Sequence, residues 1–127
     1  MRSFRLSAAA ENDIEAILAW THSQFGEQLR LRYEALLVQA ILDLADDPER
    51  PGSTERPELS RNVHTYHLRH SRDRVSPPAD RIRKPRHFLL YRIDAKGSLE
   101  IGRVLHDSMD LARHLPMDYR ASDANSE

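Results

Sequence analysis

The order of hydrophobic periods along the chain limits its fold more than any other feature. Two segments with helical spacing come first, back to back, and segments with strand-like spacing follow. Ala10, Ile14, Ile17, Leu18 and Thr21 recur at helical spacing, which predicts a helix over about residues 8–22. Ser7 stands at its N-cap position, where a hydroxyl accepts an orphan backbone N–H of the first turn. Glu11 and Asp13 lie near the positive end of that helix's dipole. Phe25-Gly26 reads as a tight connection, with Trp20 and Phe25 expected to plug the junction. Beyond it, Leu29, Tyr33, Leu36, Leu37, Ala40, Ile41 and Leu44 form the single apolar stripe of a longer helix. Asp46-Asp47-Pro48 ends that helix, because proline disfavours helical geometry in the residue before it. Two antiparallel helices joined by a short link are the economical arrangement, and each has one apolar face to hide.

Strands supply the cover. Phe4 and Leu6 alternate with Arg5 as a short first strand. Residues 63–70, rich in Val, Thr, Tyr and Leu, predict a second, and the nearly continuous apolar and aromatic run 87–93 a third. After a hairpin connection at 94–98, with Gly97 available for a positive φ, Leu99, Ile101, Arg103 and Leu105 alternate with Glu100, Gly102, Val104 and His106. Residues 48–62 show no period and read as loop, as does the polar, arginine-rich stretch 71–84 around Pro77-Pro78. A short last helix is expected over 109–115, ended by Pro116. The expected fold class is therefore α+β: a strand, a two-helix hairpin, three strands and a short C-terminal helix. The sheet is antiparallel and the helices pack on one face. Residues 1–117 are expected to form one domain with 71–85 as an exposed basic insertion, and 118–127 a flexible tail.

Composition removes several chemistries. With no cysteine in the chain, disulfides, thiol nucleophiles and thiolate metal sites are excluded. No stretch approaches the ~18–20 apolar residues of a membrane span, and the N-terminus shows no signal-peptide core, so a cytoplasmic location is expected. His64, His67 and His70 repeat every third residue. On one strand His64 and His70 would face one side and His67 the other, so no metal site and no cofactor are expected. The net charge of −1 conceals a division. Residues 1–49 carry nine acids against four arginines, and residues 69–86 carry seven cations against Asp73 and Asp80. Each part could suit a different partner. No aromatics are interleaved with the arginines of 71–84, so a base-stacking platform for nucleic acid is not expected there.

Several segments resemble the ParE branch of the bacterial ParE/RelE toxins. Phe4-Arg5-Leu6-Ser7, followed by Ala10, Asp13-Ile14 and Ile17, is similar to the opening of that family, and residues 20–26 to the bend between its two helices. Residues 42–48 resemble the end of its second helix. ParE proteins commonly carry a hydrophobic-Tyr-Arg strand, then Arg-Val-Leu-His, then a small-Met-Asp/Asn pattern. Here these are Leu90-Tyr91-Arg92, Arg103-Val104-Leu105-His106 and Ser108-Met109-Asp110. The resemblance covers roughly residues 3–116, apart from 71–84, which is longer than usual. It implies the toxin of a type II toxin–antitoxin pair that stabilises plasmids or sits on chromosomes. It also implies neutralisation by a ParD-like antitoxin and inhibition of DNA gyrase by protein–protein binding.

The resemblance extends to the sister RelE branch, whose members cleave messenger RNA on the ribosome, so a RelE-like endoribonuclease is the alternative. Such cleavage requires a proton acceptor, a proton donor and cations around the phosphate. Many RelE-type nucleases place an arginine three residues before the strand tyrosine, and here that position is Phe88. The chain has just two lysines, Lys84 and Lys96, and Tyr119 lies near its C-terminus. A binding protein without catalytic residues is therefore expected. Arg69, Arg92, Arg103, His106 and Met109 are the candidates for target binding. Arg81, Arg83 and Arg86 are the candidates for contact with the acidic tail of an antitoxin. Arg103 either reaches outward from the sheet or pairs with a nearby acid. His106 either titrates near neutrality or serves as a hydrogen-bonding group at the strand end.

Overall fold

The apolar stripes form two α-helices, α1 (Ala8–Phe25) and α2 (Glu27–Asp46), that meet at Gly26. Our computed structural model describes residues 2–116 and Tyr119. Ser7 caps α1, its hydroxyl accepting the Ala10 N–H at 3.0 Å while donating to the Gly102 carbonyl at 2.7 Å. The cap thus also fastens the helix to the sheet. α1 runs past residue 22 because the polar residues 22–24 stay exposed on the helix and need no turn. The break is set by Gly26, whose φ of 93° a side chain would resist.

The sheet has five strands in the order β1-β5-β4-β3-β2. They are β1 (Phe4–Leu6), β2 (Ser53–Glu55), β3 (His64–His67), β4 (His87–Ile93) and β5 (Leu99–His106). The α+β class holds, with helices over one face. Two details differ from expectation. β2 is a three-residue edge strand inside the stretch read as loop, too short to show any period. β1 lies parallel to β5, whereas the other pairs are antiparallel. Alternation reveals which face a residue takes and is silent on strand direction.

The main core lies between α2 and the sheet, with Leu36, Leu37, Ala40 and Leu44 against Tyr66, Leu89, Tyr91, Leu99, Ile101 and Val104. On the opposite face Val63, Leu90, Leu115 and Tyr119 form a smaller cluster. β4 is buried on both sides, which accounts for its unbroken apolar run. The simple alternation expected for β5 fails at a bulge: Leu90 pairs with Arg103 and Tyr91 with Ile101, leaving Gly102 extra. Val104, and not Arg103 or Leu105, therefore joins Leu99 and Ile101 in the helix-facing core. Glycine is required there because a Cβ would stand 2.5 Å from the Tyr119 hydroxyl.

β3 ends at His67, and Leu68–His70 turns into a 3-10 helix, so His70 is not on the strand with His64. The insertion is exposed over much of its length yet anchored at several points. Val75 is in the core and Ile82 packs against it. Asp43, 4% exposed, accepts Ser71 Oγ at 2.6 Å and Arg74 Nε at 2.8 Å and pairs with Arg50 at 3.0 Å. Of the last helix expected over 109–115, a 3-10 turn forms at Leu111–His114. Within the stretch 118–127, Tyr119 is buried, with its carbonyl accepting Ser60 Oγ at 2.7 Å and Arg92 lying 4.2 Å over its ring. The rest of 118–127 lies outside the described residues.

Candidate interaction site

The expected target-binding residues are divided among three environments. Arg103 grips Asp13 of α1 with Nε at 2.7 Å and Nη2 at 3.0 Å, and donates to the His114 carbonyl at 3.1 Å. The same carboxylate accepts the Val104 N–H at 2.9 Å, closing the edge of β5 beyond the end of β1. Asp13 accordingly raises the Arg103 pKa above its ordinary value. Arg92 pairs with Glu100 at 3.0 Å, and Glu100 also meets Arg5 at 2.7 Å. Arg69 and Met109 are exposed and share a polar cleft of about 520 Å³ on the face away from the helices. His106 lies elsewhere, in a groove by the helical hairpin.

The three arginines expected to meet an antitoxin lie along the insertion and its exit. Arg81 Nε donates to the Val75 carbonyl at 2.9 Å. Arg83 is exposed, with its carbonyl accepting from Arg72 at 2.8 Å. Arg86 grips Asp107 through Nε at 3.2 Å and Nη2 at 3.0 Å. That hydrogen bond, with a second from His67, holds the Asp107 carboxyl down at about 2.

Three histidines meet at one end of the sheet, where His87 pairs with His106 and His67 lies beside them opposite Phe88. Their nitrogens are largely committed. His67 Nδ1 accepts the Arg69 N–H at 3.1 Å, and Nε2 faces Asp107 at 3.1 Å. His106 Nδ1 accepts the Ser108 N–H at 3.1 Å. Tyr33 accepts the Arg86 N–H at 3.2 Å, so its own proton goes to His87 Nδ1 at 2.6 Å. Burial, reinforced by the neighbouring His106, pushes His87 down to about 4. Burial likewise pushes Tyr33 up to about 12. His87 is therefore a neutral structural ring at neutral pH. Among the described residues no group of three or more His, Asp or Glu is placed to hold a metal ion.

Beside this end of the sheet runs an apolar groove of about 530 Å³. α1 supplies Ala16, Ile17, Trp20 and Phe25, α2 supplies Leu29 and Tyr33, and the insertion supplies Ile82 and Lys84. Trp20 and Phe25 do not plug the junction. They stand 57% and 61% exposed in an edge-to-face pair with centroids 5.7 Å apart. The sequence allows exposed apolar positions on the helix pair without showing which they are, because Phe25 continues the helical period beyond the sheet that would cover it. Trp20, offset from the stripe of Ile14, Ile17 and Thr21, was the available signal.

Comparison with known proteins places this architecture. A family model described as the ParE toxin of type II toxin–antitoxin systems, parDE, matches residues 4–111. The chain belongs to the ParE toxin family. It is 26% identical over 112 residues to Toxin ParE1 of Mycobacterium tuberculosis, in both the CDC 1551 / Oshkosh and H37Rv strains, covering 88% of this chain and 96% of the relative. A solved structure from the chromosomal ParDE toxin–antitoxin system of P. aeruginosa shares the fold, with TM-score 0.59 and 18% identity, over 84% of this chain and 96% of that one. The matched span in the ParE family model runs from β1 to the 3-10 turn at Leu111 and includes the Asp13–Arg103 clamp and the groove residues.

Proposed function

We propose that this ParE-family toxin acts by binding DNA gyrase and is neutralised by a ParD-like antitoxin, both in the cytoplasm. The observation that carries the reading is the family match across residues 4–111. The geometry supports binding over RNA cleavage. Phe88 is 8% exposed where a RelE-type nuclease would present an arginine, Arg92 and Arg103 are paired with acids, and both His67 nitrogens are engaged. Cleavage needs a free base and several convergent cations, whereas inhibition by contact needs a complementary surface. No described helix is long and apolar enough to cross a membrane.

The test is ATP-dependent supercoiling by purified gyrase, titrated with the protein. Dose-dependent inhibition or cleaved DNA, reversed by a ParD-like antitoxin, is the expected result. Unimpaired gyrase with folded protein that still arrests growth would overturn the proposal and direct attention to messenger RNA on the ribosome.

A further inference from the structure

The two limbs of the insertion, residues 72–75 and 81–83, are tied together by arginines that bond to carbonyls. Arg72 Nη1 donates to the Arg83 carbonyl at 2.8 Å, and Arg81 Nε donates to the Val75 carbonyl at 2.9 Å. A carbonyl holds a guanidinium in place without neutralising it. Each anchoring bond uses one of five N–H donors, so both side chains keep free donors and their full charge. With Arg83, exposed and making no side-chain hydrogen bond or ion pair among the described residues, they line an open depression of about 510 Å³. The acids nearby do little to balance them. Asp73 is largely exposed and stands 4.0 Å from Arg72, and Asp80 faces Arg32 at 3.7 Å. Arg74, Arg86 and Arg103, by contrast, grip carboxylates that neutralise them locally. Three guanidiniums thus surround one depression in a chain whose net charge is −1.

We propose that this depression binds phosphate groups, carried by a nucleic-acid backbone or by a free phosphate ligand. A carboxylate presents two oxygens on one side and is satisfied by a single guanidinium fork. A phosphate presents oxygens in several directions and accepts from several guanidiniums at once. No aromatic ring lines the depression, so a polynucleotide would be held by its backbone and its bases would go unread. The apolar wall is confined to Pro78, Ala79 and Ile82, which leaves little to seat the side chains of a peptide. The insertion is then a phosphate-contacting element as well as a cover for the core. The proposal does not rest on the gyrase reading, and its test contains neither gyrase nor an antitoxin.

The full chain is titrated with a short labelled DNA duplex, followed by anisotropy, and with inorganic phosphate, followed by the backbone amide shifts of residues 72–83 against acetate at matched ionic strength. With two to three phosphates contacted, affinity for the duplex should fall by about 12- to 40-fold between about 50 and 200 mM salt. Arg83→Ala should cut that fall by about 3.5-fold, the share of one contact. Lys84→Ala removes the neighbouring cation, which lines the apolar groove and not the depression, and should leave the salt dependence unchanged. Both positions are exposed, so circular dichroism should show an unchanged fold. Duplex binding of this kind assigns the site to a nucleic-acid backbone. Shifts with phosphate and not acetate, without duplex binding, assign it to a free phosphate ligand, and Arg83→Ala should again weaken them. Binding of neither ligand, or equal effects of Arg83→Ala and Lys84→Ala, overturns the proposal. So does a glutamate-rich peptide that binds as tightly as the duplex, which would give these arginines to an acidic protein segment.

Discussion

Replacing Arg103 or Asp13 with alanine should destabilise the protein by similar amounts, and this decides how a loss of toxicity at Arg103 is to be read. The carboxylate accepts three hydrogen bonds, two from the guanidinium and one from the Val104 N–H. The two side chains are 23% and 16% exposed, so the pair is neither a surface bridge nor fully buried. A charge-assisted hydrogen bond contributes about 1.5–3 kcal/mol, and breaking a fully buried pair costs about 3–5 kcal/mol. For this intermediate case we expect about 2–3 kcal/mol from either substitution, or roughly 6–10 °C in melting temperature. The double variant should cost less than the sum of the two, with a coupling of about 1.5 kcal/mol or more. Urea unfolding followed by circular dichroism measures all three. Single-variant losses below about 0.5 kcal/mol would refute the clamp as a structural element. Growth assays then separate the roles. Equal loss of toxicity in Asp13→Ala and Arg103→Ala points to folding, whereas loss confined to Arg103→Ala assigns the guanidinium to the target.

Asp43→Ala removes the acceptor shared by Ser71, Arg74 and Arg50, and should cost about 2–3 kcal/mol by taking that acceptor from the buried Ser71 hydroxyl and the half-buried Arg50. Limited proteolysis should then cut within 71–85 faster than in the parent, and an unchanged cleavage rate would count against the anchoring role. Stability should fall as pH drops from about 6.5 to about 4, because the unfolded chain protonates His87 across that window while the folded chain keeps it neutral. Allowing for its partial exposure, His87 accounts for about 2 kcal/mol of that loss. Urea midpoints measured across the window should change less in His87→Gln, and a parent protein as stable at pH 4.5 as at pH 7 would refute the assignment.

The helices were legible because each turns one apolar stripe toward the sheet over much of its length, and Ser7 and Gly26 mark their starts by chemistry that needs no tertiary partner. β4 was legible for the opposite reason, since burial on both faces leaves a continuous apolar run. β5 was misread in phase because a bulge leaves Gly102 extra, and alternation along one strand carries no sign of a register shift against its partner; the Tyr119 hydroxyl stands where a Cβ at Gly102 would lie. β2 could not be read at all, since three residues at an edge carry no periodicity and are defined by their pairing with β3. These misses share one cause: a contact made by residues far apart in the chain reset a locally plausible pattern.

The same cause governs what was legible of the site. The uneven charge along the sequence suggested an acidic half and a basic stretch facing different partners. In the fold some of that charge meets inside one molecule: Asp43 with Arg74 and Arg32 with Asp80 join the two parts, and Asp13 pairs with Arg103. Of the seven cations between 69 and 86, Arg72, Arg74, Arg81 and Arg86 hold the insertion and strand ends in place through carboxylates or carbonyls. Among the described residues the side chains of Arg69, Arg83 and Lys84 remain without such partners. Arg69 opens onto the polar cleft and Lys84 onto the apolar groove. A surface charge with no internal partner loses little by engaging another protein, whereas one that must first leave an ion pair loses that pair. Arg92 and Arg103 would each have to leave an acid to meet a partner, so substitutions at Arg69 and Lys84 are expected to change partner binding with the smaller effect on stability, measured by urea unfolding beside a binding assay.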